Sequence, residues 1–594
     1  MRYHRITNPR AKHTNAAVVS VGIALVVAGS GVACGSVSGA ATLRSPARLV
    51  GDFRLGHVVS VAGGRREGAV AYRYRWERCN LRGRACVRVG GERGYRLGGR
   101  DLGSRLRAVV TAVVGGHTHS SRTKPSAPVT VRPVASPCSG TDVDPGADVA
   151  AVVAGAAPGT TFCLRPGRYH VTRTIAPAEG DRLIGQPGTI LDAGIALHGW
   201  SRSDGAWVAP APTTVPTLNL GGGYGGSYKY GQAVFADDVF QDDRPLRKIG
   251  VEHGGRIIGD GPAQLRPGGY FYDYDHGRIY LGADPTGTRV ELESLPDGVI
   301  HSVAGHVTIS GLTVQGSVAD GIVTGSGRGW TVVGNNVRLN HSEGVRVTTG
   351  GRVVRNYIHD NGTYGIAATG DGMRVTANEV AGNNTARYYR ADGQCSDAGG
   401  SKITLSRGVV LNRNWYHENR CIGIWFDIDN RGISILHNHV DGNYENGIDV
   451  EISYNALVRG NEVSGSPHWG ILDSASPHVI IAGNTVAGNG DGAIVLNQNA
   501  RTDYPSPYGP HYARHVLVTG NRIRMRTGRT GARQEGVAGT PFAGVVFAAS
   551  NRFDRNSYVL PRLGRRWFDW AGGPRTIAAW QAAGQDAHST FTRG

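Results

Sequence analysis

The chain has 594 residues and 62.8 kDa, and 40% of its residues are hydrophobic against 19% charged, enough to bury a sizeable core and to exclude wholesale disorder. Its 90 glycines follow no Gly-X-Y period, which excludes collagen and points to a tight turn every few residues. The net charge of +18 sits near the N-terminus: residues 41–136 carry 19 basic and five acidic groups, whereas residues 137–594 carry 41 of each.

In chain order, Arg2, Arg5, Arg10 and Lys12 precede an apolar run from Ala16 to Ala33. A charged region followed by a hydrophobic one reads as an export signal over residues 1–40, with a retained membrane anchor as the competing reading. Gly31-Val32-Ala33-Cys34 resembles a bacterial lipobox, which implies lipidation at Cys34 and an extracellular or cell-surface protein; cleavage after Ala40 is the alternative. The seven cysteines fall as Cys34 alone and then Cys79/Cys86, Cys138/Cys163 and Cys395/Cys421. Six that pair in an oxidising compartment fit an exported chain.

Residues 41–136 alternate apolar and polar side chains, as in Tyr72-Arg73-Tyr74-Arg75-Trp76, and predict a small β-sandwich ending in a Pro/Ser/Thr linker over Ser120–Pro137. Tyr74-Arg75-Trp76-Glu77-Arg78-Cys79…Cys86, Tyr95 and Asp101-Leu102-Gly103-Ser104-Arg105-Leu106 resemble the Ig-like modules of actinobacterial surface proteins. The resemblance implies that Cys79 and Cys86 close a hairpin and that the module is a spacer or weak binder. Its positive surplus should attract anionic cell-wall polymer. The Arg-for-Lys bias and the lack of HTH, RRM or zinc-finger spacing argue against nucleic acid.

Beyond residue 137 the sequence repeats. Asn-x-Val, Asn-x-Ile or a close variant recurs with Asn at 336, 356, 378, 414, 438, 461, 484 and 521, and strand-opening glycines recur at 321, 344, 365, 400, 423, 447, 470 and 492. A shared period of about 22 residues suits one coil of a right-handed parallel β-helix, with strands stacked about 4.8 Å apart. The fold expected for residues 137–594 is therefore all-β. The two longest steps, Asn378 to Asn414 and Asn484 to Asn521, mark coils that carry inserted loops. Residues 138–198 read as the opening cap and coils, residues 200–295 as a β insertion, and Thr576–Ala587 as a helical cap.

The register locates candidate chemistry. In Gly423-Ile424-Trp425-Phe426-Asp427-Ile428-Asp429, inward Ile424, Phe426 and Ile428 leave Trp425, Asp427 and Asp429 outward. In Gly447-Ile448-Asp449-Val450-Glu451-Ile452-Ser453, the same rule turns Asp449, Glu451 and Ser453 outward. Aligned glycines stack Asp427 on Glu451 and bring Lys402 and Thr404 to the same strip. Stacked like charges destabilise a sheet, so the strip calls for a function or a cation. Carboxyl groups about 5–5.5 Å apart suit a retaining glycosidase, one as nucleophile and one as acid/base.

Ala398-Gly399-Gly400-Ser401-Lys402, Gly423–Asn430 and Glu451-Ile452-Ser453-Tyr454-Asn455-Ala456 resemble secreted actinobacterial β-helix proteins and, more distantly, β-helix glycoside hydrolases of the retaining β-xylosidase type. The resemblance implies Asp427 as nucleophile, with Asp429 the alternative, and Glu451 as acid/base. Lys402, Asp429 and Asp449 would bind sugar hydroxyls, and Trp425 and Tyr454 would stack on sugar rings. A monomer without a cofactor, acting on a polysaccharide or oligosaccharide, is expected. Two other classes stay open. One is a Ca²⁺-dependent polysaccharide lyase, with Asp427, Asp429 and Glu451 on the ion and Lys402 as base. The other is a non-catalytic surface β-helix.

Overall fold

The structure is a computed structural model that describes residues 45–594 except 81, 132–136, 204, 216–230, 391, 502–504 and 549. The expected export signal and Cys34 lie outside the described residues.

The N-terminal module packs a three-stranded antiparallel sheet (Arg48–Val50, Val58–Ala62, Gly94–Arg96) against a four-stranded one (Ala69–Cys79, Val87–Gly90, Arg105–Val114, His117–Arg122). Alternation along Arg105–Val114 sends Leu106, Ala108, Val110 and Ala112 inward. Trp76 fills the centre, stacks on Tyr95 at 5.6 Å and donates its indole N–H to the Glu92 carbonyl at 2.8 Å. Cys79–Cys86 staples the hairpin between Ala69–Cys79 and Val87–Gly90.

The module is docked on the coils, where the resemblance implied a spacer. Trp415 and Ala377 of the coils join the module's own apolar core. A Cβ at Gly103, whose φ is +72°, would come 2.9 Å from the Trp415 ring. The buried Glu379 carboxylate accepts the Val131 N–H at 2.9 Å. Indole area and a shared buried hydrogen bond hold the two parts together.

The rest is the expected right-handed parallel β-helix. Each regular coil contributes one strand to each of three parallel sheets, called here the first, second and third faces. In one coil these strands are Ser434–Leu436, His439–Asp441 and Ile448–Glu451. The faces enclose one continuous apolar core that runs from Val143 to Trp580. The opening helix Val149–Ala154 is capped by Asp148, and the closing helix Ile577–Ala582 by Thr576; Trp580 stacks on Phe568 at 4.9 Å to seal the last coil. Disulfide Cys138–Cys163 ties the chain's entry to the first coils.

An asparagine ladder at the corner between the first and second faces fixes the register. It runs Asn335, Asn356, Asn378, Asn414, Asn438, Asn461, Asn484, Asn521, Asn556. In each rung the next asparagine's Oδ1 accepts the backbone N–H at 2.8–2.9 Å and the side-chain Nδ2 at 2.9–3.0 Å. The mark read at Asn336 belongs one residue earlier. Asn335 is fully buried in the ladder, whereas Asn336 lies on the strand and bonds His359. A second ladder, Asn340, Asn361, Asn383, Asn419, Asn443, runs at the corner between the second and third faces. It explains the strand-opening glycines: a Cβ at Gly423 would come 2.6 Å from the Gly447 carbonyl and 2.8 Å from Asn443 Nδ2.

Strands of residues 195–292 form a separate body of two sheets, one of them six-stranded and mixed. This is the expected β insertion, with Tyr270, Tyr272, Ile279 and Leu281 at its centre. Asp243 ties it to the second face through Arg338 at 2.8 Å. His341 Nδ1 meets Asp238 of the insertion at 2.9 Å, while His341 Nε2 meets the Tyr388 hydroxyl at 2.9 Å.

Replacing Asn438 with Ala removes two acceptor bonds from Asn414 and two donor bonds to Leu411 and Asn461. Each orphaned buried group costs about 1–3 kcal/mol, so N438A is expected to lose about 3 kcal/mol or more in equilibrium urea unfolding. N336A is expected to lose under about 1 kcal/mol in the same measurement.

Candidate active site

The site lies on the third face, where Gly399–Thr404, Ile422–Asp427 and Ile448–Glu451 run side by side. Lys402 pairs with Trp425 and Thr404 with Asp427; one rung on, Trp425 pairs with Asp449 and Phe426 with Val450. That register leaves Asp427 in line with Glu451, one strand spacing of about 4.8 Å away. Glu451 is followed in turn by Ser474 and Asn497.

Three expected members do not join the strip. The chain leaves extended geometry at Ile428 and Asp429, whose φ values are +59° and +55°. Alternation therefore ends at Asp427, and the Asp429 carboxylate pairs with His511 at 2.9 Å. Tyr454 is 5% exposed, and its hydroxyl donates to the Gly509 carbonyl at 2.6 Å. It holds the loop after Asn499 and offers no open face to a sugar. Ser453 does not point outward either. It is fully buried and accepts from Asn430 Nδ2 at 3.1 Å, in a short Asn/Ser ladder that closes this corner.

The acids are met by cations from the same face and from an inserted loop. Lys402 Nζ lies 3.0 Å from Asp427 Oδ2, also contacts Asp397, and sits 3.7 Å over the Trp425 ring. The Trp425 indole N–H donates to Glu451 at 3.1 Å. Arg501 pairs with the other Glu451 oxygen and reaches Ser474 Oγ at 3.3 Å. Disulfide Cys395–Cys421 and the Tyr389 hydroxyl, bonded to the Arg420 carbonyl at 2.6 Å, pin the loop that carries Asp397 beside the strip. A cavity of about 500 Å³ opens there, bounded by Tyr389, Gln394, Tyr444, Glu445 and His468. A second, of about 280 Å³, opens beside Lys402, Thr404, Glu343 and Tyr364.

Burial dominates the protonation of the strip. It raises Asp427 to about 6; Glu451 pushes the same way and Lys402 opposes it. Burial, aided by Glu451, lifts Asp449 far above the carboxylate range, and its Oδ1 has no partner while Oδ2 accepts from Asn446 at 3.1 Å. Burial also raises Glu445. For Lys402 burial acts downward, but Asp427 and Asp397 overcome it and hold the ammonium above its ordinary value. A base needs to lose its proton near the working pH, so Lys402 is a poor proton acceptor. Asp427, Asp429 and Glu451 form none of the three-residue clusters of metal-type ligands found among the described residues.

The sequence reading missed Asp397, Glu445, Arg501 and His511. Three of these four sit in the two long inter-asparagine steps, so the signal was the insert length; no residue pattern inside the inserts says which side chain turns toward the sheet.

The family model described as "Right handed beta helix region" matches residues 297–451. No curated protein sequence matches the chain. Among solved structures, the A-module of mannuronan C-5 epimerase AlgE6 from Azotobacter vinelandii is similar at 13% identity and TM-score 0.40, over 76% of this chain and 96% of that one. The α-1,3-glucanase catalytic unit from Streptomyces thermodiastaticus is similar at 11% identity and TM-score 0.33, over 93% and 94%. The family 28 exopolygalacturonase of Yersinia enterocolitica is similar at 11% identity and TM-score 0.27, over 88% and 91%. At such identities and scores the likeness assigns no chemistry to this chain.

The raised Asp427 gives a pH-dependent stability. Its folded pKa of about 6 lies above the ordinary 3.8, so the fold prefers the protonated acid. That contribution is complete below about pH 4 and is lost as the pH rises through about 6. Asp427→Asn, which mimics the neutral acid, is expected to be more stable than the parent at pH 8 by on the order of 1 kcal/mol. In urea titrations the gap should close below about pH 4.

Proposed function

We propose that the protein is an exported glycoside hydrolase that cleaves a polysaccharide or oligosaccharide with retention, using Asp427 and Glu451 as its two carboxyl groups. The observation that carries this reading is their alignment on adjacent rungs, with Asp427 raised by burial and Glu451 paired with Arg501. Glu451 is held by the Arg501 guanidinium and by the Trp425 N–H. Asp427 is raised to about 6, which favours a proton at mildly acidic pH. A raised carboxyl suits a general acid, and its neighbour one rung on, paired with a guanidinium, is placed for the nucleophile.

The division of labour that follows is the reverse of the one the resemblance implies. Glu451 attacks the anomeric carbon while Asp427 gives its proton to the leaving oxygen. Asp427 then removes a proton from water as the glycosyl–Glu451 ester is hydrolysed. Lys402, between Asp397 and Asp427, steadies Asp427 when it becomes anionic. Three disulfides support an oxidising, extracytoplasmic location.

Asp427→Asn and Glu451→Gln are each expected to lower kcat by at least about 10²–10⁴-fold on whichever glycan supports reducing-end release. Glu451→Ala with azide should yield a glycosyl azide of inverted configuration, and Asp427→Ala with azide one of retained configuration. The opposite pairing would restore Asp427 as nucleophile. The parent's kcat/KM should fall as pH rises through about 6, where the acid loses its proton. A reaction that yields unsaturated uronate, stops with chelator and dies in Lys402→Ala would overturn the hydrolase reading.

A further inference from the structure

A groove of about 750 Å³ separates the stapled hairpin of the N-terminal module from the second face of the coils. It lies on a different face from Asp427 and Glu451. One wall carries Arg82 and Arg84; the other carries Arg522, Arg524 and Arg526. No carboxylate lines it, and none of these five guanidinium groups is ion-paired among the described residues. Five like charges around one groove repel one another, and neither the sandwich nor the coils need them for packing. All five are exposed.

Both walls are held in place. Cys79–Cys86 closes the hairpin, and Asn80 Oδ1 accepts the Arg82 and Arg84 backbone N–H groups at 3.1 and 2.9 Å. Arg522 and Arg524 alternate outward on one strand, so their Cα atoms are about 6.6–6.8 Å apart. The docking through Trp415, Gly103 and Glu379 keeps the walls at a set separation.

We infer that this groove binds an anionic glycan. Arginine forks engage carboxylate or phosphate groups in two-point contacts, and repeated charges along a polymer match arginines repeated along a strand. The lining between the arginines mixes hydroxyls, from Ser464, Thr485, Thr527 and Ser557, with apolar Ala487 and Val559. Such a floor admits sugar rings and bonds their hydroxyls. It holds no aromatic side chain, so it lacks the stacking platform that single-stranded nucleic acid uses. The groove anchors the protein on a charged polymer while the third face acts, and it does not depend on the hydrolase reading.

The test uses the disulfide-intact protein, retarded in gels that contain polygalacturonate, poly(glycerol phosphate) glycan, neutral dextran or a DNA duplex of matched charge. Retardation by polygalacturonate or by poly(glycerol phosphate), weakened by salt, is expected, and the polymer that retards identifies carboxylate or phosphate as the recognised group. Arg522→Gln/Arg524→Gln/Arg526→Gln and, separately, Arg82→Gln/Arg84→Gln should each weaken that retardation at least about tenfold. Unchanged thermal unfolding of these exposed-site variants shows that the fold is intact. Retention by neither anionic glycan, equal retention by DNA, or variants that bind like the parent would overturn the proposal. A protein that binds but hydrolyses nothing would remove the hydrolase reading and leave this one standing.

Discussion

The buried asparagine ladder between the first and second faces is the constraint on which the rest depends. Each rung joins a backbone N–H, a side-chain amide and a carbonyl of neighbouring coils, so one coil cannot slide without breaking several buried bonds. A one-residue slip would turn Ile424 and Phe426 outward and Asp427 into the core. The ladder runs through both inserted coils without a gap, from Asn378 to Asn414 and from Asn484 to Asn521. Loops of any sequence can therefore be carried there, and these two loops supply Asp397, Arg501 and His511 to the third face.

The strip of acids is an electrostatic conflict that the rest of the site is arranged to answer. Asp427, Asp449 and Glu451 occupy neighbouring positions, two of them nearly buried. Lys402 and Arg501 meet Asp427 and Glu451, while Asp449 is left to a single amide and burial pushes its carboxyl well above the usual range. Without Lys402 the cost of burying Asp427 would rise, and without Arg501 the repulsion between the two carboxyl groups would grow. Burial sets the upward shift of Asp427 and Asp449, and Lys402 opposes it at Asp427.

Much of this was legible in the sequence, for physical reasons that also mark where legibility ends. Period-2 alternation reads strands, so the outward Trp425, Asp427, Asp449 and Glu451 were found. Alternation stops where the backbone turns left-handed, so Asp429, Ser453 and Tyr454 were misplaced once φ became positive at Ile428 and at Ile452, +34°. The Asn-Asn pair at 335 and 336 hid which residue belonged to the ladder, since either could be followed by Val337 at a plausible spacing. The second ladder lies five residues after the first in coil after coil and could have been read, as Asn356 with Asn361 and Asn378 with Asn383 show. The docking of the module was not legible, because its determinants are a glycine, Gly103, and an indole, Trp415, more than three hundred residues apart in the chain.

The central claim is that the coil spacing places Asp427 and Glu451 as a retaining pair. The direct measurement is the anomeric configuration of the first-formed product, followed by proton NMR on the glycan that supports reducing-end release. On this account Glu451 and Asp427 act as nucleophile and acid/base with no water between them, so the product should appear first with the substrate's own anomeric configuration. A first-formed product of inverted configuration, or an unsaturated product, would contradict the account.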